Sequence, residues 1–337
     1  MSAHAVAVLG GAGFVGRHVS AAFAAEGWDV LVVGRARPPA ERGASFAALD
    51  LAGCRPAEIA GVLAAHRPEV VVNAVGANWN VTRYQMRRAN TDATRNTLAA
   101  LALLPARPRL VHLGSVLEFG PLPEGTVLRE DRAARPAGPA GRTKLAATRA
   151  VRRAFRSGVV TGAVLRLPNV VGPGAPAASL AGAVAAELAA ARARGLPAVL
   201  ELGPLADRRD YLDVRDVAGA VLAAARVPAA AIADGPALNL GSGRAVPVGA
   251  LVDLLVEISG VPATVAAAGR RQPADARAGR AQPRDAASWI RVDASRARAV
   301  LGWRPRRSLR DSLHDLWLEF GEGDEHARAI QHRELDG

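Results

Sequence analysis

Short apolar runs alternate along the chain with longer segments whose apolar residues recur at helical spacing. Strand-like runs fall at Ala5–Leu9, Asp29–Val33, Glu69–Asn73, Arg109–Gly114 and Ala163–Leu167. Between them lie helix-like segments, among them Arg17–Glu26, Tyr84–Leu104 and Lys144–Ser157. Strands and helices in strict alternation predict a parallel sheet, of seven strands or a similar number, with helices on both faces. Pro121–Pro139, rich in Pro, Gly and charge, predicts a surface loop before the next helix. Beyond Gly172 the alternation loosens. Helical stretches at Ser179–Arg194 and Val246–Ser259, with a basic, proline-containing segment from Gly269 to Arg284, predict a smaller lobe closing over the ligand-binding face of the sheet.

The turn after the first strand carries specific chemistry. Gly10-Gly11-Ala12-Gly13-Phe14-Val15-Gly16 joins a strand to a helix, and the next strand follows in order. Glycines there let the backbone turn tightly and approach a pyrophosphate, whose charge is met by free N–H groups at the helix N-terminus. In this context the run predicts a dinucleotide site and a doubly wound α/β Rossmann sheet. The predicted division gives residues 1–168 and about 211–245 to the dinucleotide-binding domain. Residues 169–210 and 246–337 go to a small C-terminal substrate-binding lobe.

Composition narrows the class. With 337 residues and 50% hydrophobic content, the chain has material for a sizeable core. A single cysteine, Cys54, excludes an intrachain disulfide and a cysteine-rich metal site, and the histidines lack metal-ligand spacing, so no metal is expected. Leu180 to Ala193, the most apolar stretch, is interrupted by Glu187 and Arg192 and is too short to cross a bilayer. No membrane partner is expected, and the absence of a leader-like N-terminus predicts a cytoplasmic protein. The net charge of +12 is spread along the chain, and only 4% of residues are aromatic. That pattern predicts a solvated basic surface attractive to anionic small molecules and no nucleic-acid groove.

Further motifs appear in a fixed order: Asp50-Leu51, Asn73-Ala74-Val75-Gly76-Ala77, Asn90 in Asn90-Thr91-Asp92, and Ser115 in Gly114-Ser115-Val116-Leu117-Glu118-Phe119-Gly120. Lys144, Arg166-Leu167-Pro168-Asn169, Arg209-Asp210-Tyr211, Asn239-Leu240-Gly241-Ser242-Gly243 and Leu301-Gly302-Trp303 follow. The series, which covers nearly the whole chain, resembles the extended short-chain dehydrogenase/reductases of the NAD-dependent epimerase/dehydratase family. Its motif order is that of sugar ketoreductases and UDP-glucose 4-epimerase-like enzymes. By that resemblance Gly10, Gly13, Phe14, Val15, Gly16, Arg35, Arg37, Asp50, Leu51, Ala74, Val75, Gly76, Lys144 and Pro168 would contact the cofactor. Asn78, Ser115, Glu118, Asn169, Ser179 and Arg209 would face a sugar substrate, and a homodimer is implied.

In that family a tyrosine precedes the lysine by one helical turn and exchanges the proton, while a Ser or Thr orients the carbonyl. Ser115 and Lys144 match these roles, but position 140 is Ala140. Alanine transfers no proton, so the chemical step should lose roughly 10²–10⁴-fold unless another group substitutes. Three readings follow: an engineered Tyr-to-Ala change that disables a ketoreductase, a natural enzyme whose acid is Glu118 or Tyr84, or a natural dinucleotide-binding protein without catalysis. Several of these residues also have purely structural readings, Ser115 and Asp50 as turn caps, Asn90 as a helix-packing hydrogen bonder and Lys144 as a solvated lysine.

The end of the second strand bears on the cofactor. Where relatives that prefer NAD place an acid for the ribose hydroxyls, this chain has Val33-Gly34-Arg35-Ala36-Arg37. A guanidinium pairs with a 2′-phosphate through two hydrogen bonds, which predicts NADP(H) over NAD(H); stacking of Arg35 on adenine is the alternative. NADPH favours net reduction, so a reductase of a keto group on a sugar leads over an epimerase or dehydratase. Asn169 and Arg209 match diphosphate-holding positions and favour a nucleotide-linked ketosugar. Gln282 stands where UDP-sugar enzymes carry a second arginine, a place Arg280 or Arg284 could fill. Glu118 near Ser115 could instead greet a keto-aminosugar.

Overall fold

Alternate residues of the first strand enter opposite cores: Val6 and Val8 pack on one side, Ala7 and Leu9 on the other. A strand buried on both faces must lie inside a sheet covered by helices. The computed structural model describes residues 4–37, 44–78, 80–203, 205–267 and 289–320, and has that architecture. The first half runs β1 (Ala5–Leu9), α1 (Phe14–Ala25), β2 (Asp29–Gly34), β3 (Ala44–Ala48), α2 (Pro56–His66), β4 (Val70–Asn73), α3 (Arg83–Arg87), α4 (Ala93–Ala102), β5 (Arg109–Ser115), α5 (Pro139–Arg156) and β6 (Thr161–Leu167). Then come β7 (Asn169–Val171), α6 (Leu180–Arg194), β8 (Ala198–Leu202), β9 (Arg208–Arg209), β10 (Tyr211–Asp213), α7 (Val214–Arg226), β11 (Ala237–Asn239), β12 (Val246–Pro247), α8 (Val248–Ser259), β13 (Ala263–Ala267) and α9 (Ser295–Leu301). Residues 309–320 form a last helix.

Seven strands pair in the order β11-β6-β5-β4-β1-β2-β3, all parallel. The order reverses between β1 and β4, which opens a crevice beyond their carboxyl ends, where such sheets bind ligands. On one face α1, α7 and α9 pack with Phe23, Val217, Leu301 and Trp303; on the other α2, α4 and α5 pack with Ile59, Leu101 and Val151. The expected doubly wound Rossmann sheet is therefore present.

A separate apolar cluster joins α6, α8 and the helix at 309–320 through Leu188, Leu251, Leu255, Leu316 and Trp317. β13 pairs with β8 beside it, and β10 pairs with β7 outside the main sheet. Arg215 binds both Asp213 and Asp315 and so ties this cluster to α7. Asp210, fully buried, accepts from the N–H groups of Ser242, Gly243 and Val292, joining three distant segments at the rim of the crevice. The loop expected at Pro121–Pro139 is irregular up to Gly138 and is pinned where Leu128 bridges Val292. The Gly269–Arg284 segment, with Arg280, Gln282 and Arg284, lies outside the described residues. Among the described residues no helix is long and apolar enough to cross a membrane.

Candidate active site

The glycine turn is built for close approach. Gly10 has φ +78°, and a Cβ there would lie 3.0 Å from the Val75 nitrogen. A Cβ on Gly16 would sit 2.1 Å from the Gly10 carbonyl oxygen, so only glycine lets α1 pack against the turn. Gly13 caps α1 without a side-chain hydrogen bond, which leaves the first N–H groups of Phe14, Val15 and Gly16 to a ligand. All four residues line a cleft of about 570 Å³. An uncapped helix start behind a glycine cradle fits the diphosphate of a dinucleotide.

The same cleft brings together residues far apart in sequence. Ala74, Gly76, Asn78, Ser115, Ala140, Lys144, Pro168, Asn169 and Arg209 all line it. Two carry buried polar atoms without a partner among the described residues, Asn78 Oδ1 and Asn169 Nδ2. Buried polar atoms are ordinarily satisfied, so this unmet donor and acceptor mark places for ligand groups. Arg209 reaches the cleft while its guanidinium donates to Asp207 Oδ2 at 2.8 Å and to the Arg208 carbonyl at 3.1 Å. Of the remaining expected contacts, Leu51 and Val75 pack with the apolar core under the crevice.

Ser115 ends β5, and its Oγ accepts from the Leu117 N–H at 3.2 Å, starting the 3₁₀ turn Val116–Phe119. Pro139 is the first residue of α5, which puts Ala140 in its first turn and Lys144 one turn later. The residue before Pro139, Gly138, is extended and ends the loop. Lys144 is buried, and its Nζ donates to the Leu113 carbonyl at 3.3 Å. Burial is the main cause that lowers its pKa to about 8, against the opposing pull of Glu118. His112, on β5 below it, is driven down to about 3, chiefly by burial and also by the Lys144 charge, so it is neutral.

Glu118 does not line the cleft. It is 0% exposed, and its carboxylate accepts from the Ser115 N–H at 3.0 Å, Thr148 Oγ1 at 2.8 Å and Arg166 Nε at 2.9 Å. The Arg166 guanidinium stacks on Phe119 at 4.7 Å. One acid thus ties together the ends of β5 and β6 and the middle of α5, a place unlike the substrate-facing or acid-donating position expected for it. Tyr84 is 59% exposed on α3, with its hydroxyl accepting from Arg88, and Tyr211 is buried in β10. Neither tyrosine lines the cleft.

Ser179 caps α6, accepting from the Gly182 N–H and donating to the Pro176 carbonyl. Asp50 takes its capping role, accepting from the Ala52 N–H, and also pairs with Arg88 at 3.0 Å. Arg35 and Arg37 are exposed just past β2, whose Val33 carbonyl accepts from the Gly10 N–H, and Arg37 lies over the Phe46 ring at 5.2 Å. Among the described residues no cluster could hold a metal ion.

Sequence reasoning missed how Asn90 is presented. The π-turn Arg88–Asp92 interrupts the expected Tyr84–Leu104 helix and turns Asn90 inward. There Asn90 holds both backbone groups of Ala77 and donates to Thr143 Oγ1. Such π insertions recur at functional sites, and this one fixes the Gly76-Ala77 segment beside Lys144. The composition carries a second signal: Lys144 is the single lysine in the chain.

The sequence model of the NAD dependent epimerase/dehydratase family matches residues 6–241, the glycine turn through Gly241. The chain belongs to that family. Membership makes it an NAD(P)-dependent oxidoreductase or epimerase of the extended short-chain dehydrogenase type. It is 43% identical over 312 residues to dTDP-6-deoxy-L-talose 4-dehydrogenase (NAD(P)(+)) of Kitasatospora kifunensis, covering 93% of this chain and 94% of that one. Identity to UDP-glucose 4-epimerase of Rhizobium leguminosarum bv. trifolii is 26% over 353 residues, 98% of this chain and all of the relative. Among solved structures, MoeE5 in complex with UDP-glucuronic acid and NAD superposes with a TM-score of 0.77 at 25% identity, covering 95% of this chain and 99% of that one.

Proposed function

We propose that this family member interconverts a keto and a hydroxyl group on a nucleotide-linked sugar, working as an NADPH-dependent reductase of a dTDP-linked 4-keto-6-deoxyhexose. The observation that carries this reading is the 43% identity, over nearly the full length of both chains, to a nucleotide-sugar 4-dehydrogenase. The preference for NADP(H) rests on Arg35 and Arg37, two exposed guanidiniums just beyond β2 where no acid stands. The cofactor, when bound, supplies or accepts hydride at the sugar carbon.

The chain's own residues do the rest. The free N–H groups after Gly13 hold the diphosphate of the cofactor, and Asn169 with Arg209 meets that of the sugar nucleotide. The Ser115 hydroxyl donates to the carbonyl oxygen as charge develops on it. Lys144 anchors the nicotinamide ribose. Ala140 offers no phenol, which makes this chain a slower catalyst than one with tyrosine there.

The test is to mix the purified chain with NADPH and a panel of nucleotide ketosugars while following NADPH absorbance. Stoichiometric oxidation of NADPH with a 4-ketosugar supports the reductase. Interconversion of sugar epimers without net NADPH loss would replace it with the epimerase reading. NADPH binding without any turnover in this chain or in Ala140→Tyr would leave a dinucleotide-binding protein.

A further inference from the structure

We propose that Lys144 itself delivers the proton to the substrate's carbonyl oxygen, so that turnover does not depend on a tyrosine at position 140. The inference rests on the reductase reading above. Among the described residues lining the cleft, only Lys144 and Arg209 carry ionisable side chains. A guanidinium does not give up a proton in a protein, and that of Arg209 is committed to Asp207. Both tyrosines and Glu118 stand outside the cleft. Among the described residues lining the cleft, the one side chain able to exchange a proton near neutral pH is therefore the amine of Lys144.

Composition points the same way. Of 43 Lys and Arg residues, 42 are arginine, and the one lysine is the residue inside the cleft. A chain that uses guanidinium at every other cationic position keeps, in this place, the cation that can deprotonate. Geometry leaves that amine available. Among the described residues its one hydrogen bond runs to the Leu113 carbonyl, so two of its three N–H bonds remain for ligands. Gly76 keeps the space open, since a Cβ there would lie 2.6 Å from Nζ.

Among the described residues, the groups facing the amine are few. Glu118, from the turn after β5, favours the charged form; His112, on β5, is neutral. Arg166, on β6, is spent on Glu118. From the π-turn comes the uncharged Asn90, while Arg88 and Asp92 pair with Asp50 and Arg87. In the step, the bound reduced nicotinamide would supply hydride, its C–H bond breaking as it is oxidised; the hydride pair would bond to the carbonyl carbon as the C=O π bond breaks. The electron pair moves to oxygen, which takes a proton as an Nζ–H bond breaks. The amine is left neutral and regains its proton from solvent.

The single lysine makes the test direct, because ¹⁵N-lysine labelling of the full chain gives one side-chain signal. Its titration with NADP⁺ bound is compared with the pH profile of ketosugar reduction in the unaltered chain, Lys144→Arg and Ala140→Tyr. The expected result is turnover by the unaltered chain with an alkaline limb that coincides with the lysine titration. Lys144→Arg should lose roughly 100-fold or more in kcat, with a much smaller change in NADPH affinity. An alkaline limb unrelated to the lysine titration overturns the proposal, whether or not the arginine variant folds. So does an arginine variant of full activity. A silent parent beside an active Ala140→Tyr also overturns it, while leaving the reductase reading in place. Silence from both, with NADPH bound, removes the reductase reading and the proton donor with it.

Discussion

Ala140 and Lys144 lie one helical turn apart on α5, and both line the cleft into which Ser115 also opens. A longer side chain at position 140 would share the space in front of the Lys144 amine. Everything around that gap has the composition of a proton-transfer site: a hydroxyl on the end of a strand, a buried amine, and a backbone segment held by Asn90.

Introducing a phenol at position 140 should therefore quicken the chemistry. Ala140→Tyr is expected to raise the rate of NADPH-dependent ketosugar reduction by roughly 10²-fold, the scale of a positioned general acid. Single-turnover kinetics should show the gain in the chemical step, with NADPH affinity unchanged within about twofold by fluorescence titration.

The pH response follows from the buried amine. Reduction needs the charged form of Lys144, so its rate should fall as pH rises through about 8. The reverse oxidation needs the neutral form and should rise over the same interval. Stability has its own sign: unfolded, the lysine titrates near 10.5, so between about 8 and 10.5 the unfolded chain binds more protons than the folded one. This group's contribution should make the fold more stable as pH increases across that window, as measured by denaturant titration at several pH values.

Glu118→Gln removes the charge from a sealed cluster and leaves the 5% exposed Arg166 without its partner. Breaking a buried pair in this way should cost about 3–5 kcal/mol in chemical denaturation. The same change takes away the one carboxylate among the described residues that favours the charged lysine, so the alkaline limb of the reduction profile should move to lower pH.

Arg35 offers a test of cofactor choice. Arg35→Glu puts an acid where a 2′-phosphate would lie and should weaken NADPH binding by at least roughly tenfold, about 1.4 kcal/mol. NADH binding should change far less or improve. Equal losses for both cofactors would place the arginine elsewhere than at the 2′-phosphate.

Much of this architecture was legible because parallel strands and amphipathic helices write their periods into the chain. The glycine turn, Ser115, Lys144 and Asn169 could be placed at strand ends and on helix faces before any coordinates. What escaped notice has physical causes. β3 reads Ala-Ser-Phe-Ala-Ala, an edge strand half open to solvent, with neither alternation nor a solid apolar run. β11 spans only three residues and takes its shape from β6. α5 begins at Pro139, inside the segment whose composition predicts a loop, because proline suits a first helical turn.

The burial of Glu118 is not legible in the sequence, because acids are ordinarily exposed and its partners Thr148 and Arg166 lie 30 and 48 residues away. The π-turn that aims Asn90 has no periodic signature at all. By contrast, the solitary lysine needed only counting.

The most direct measurement of the central claim is NADPH oxidation by the unaltered chain presented with a dTDP-4-keto-6-deoxyhexose, with the product sugar identified by NMR. The expected result is one NADPH consumed for each keto group converted to a hydroxyl at C4. A chain that binds NADPH and this ketosugar yet leaves both unchanged, in the parent and in Ala140→Tyr alike, would contradict the assignment.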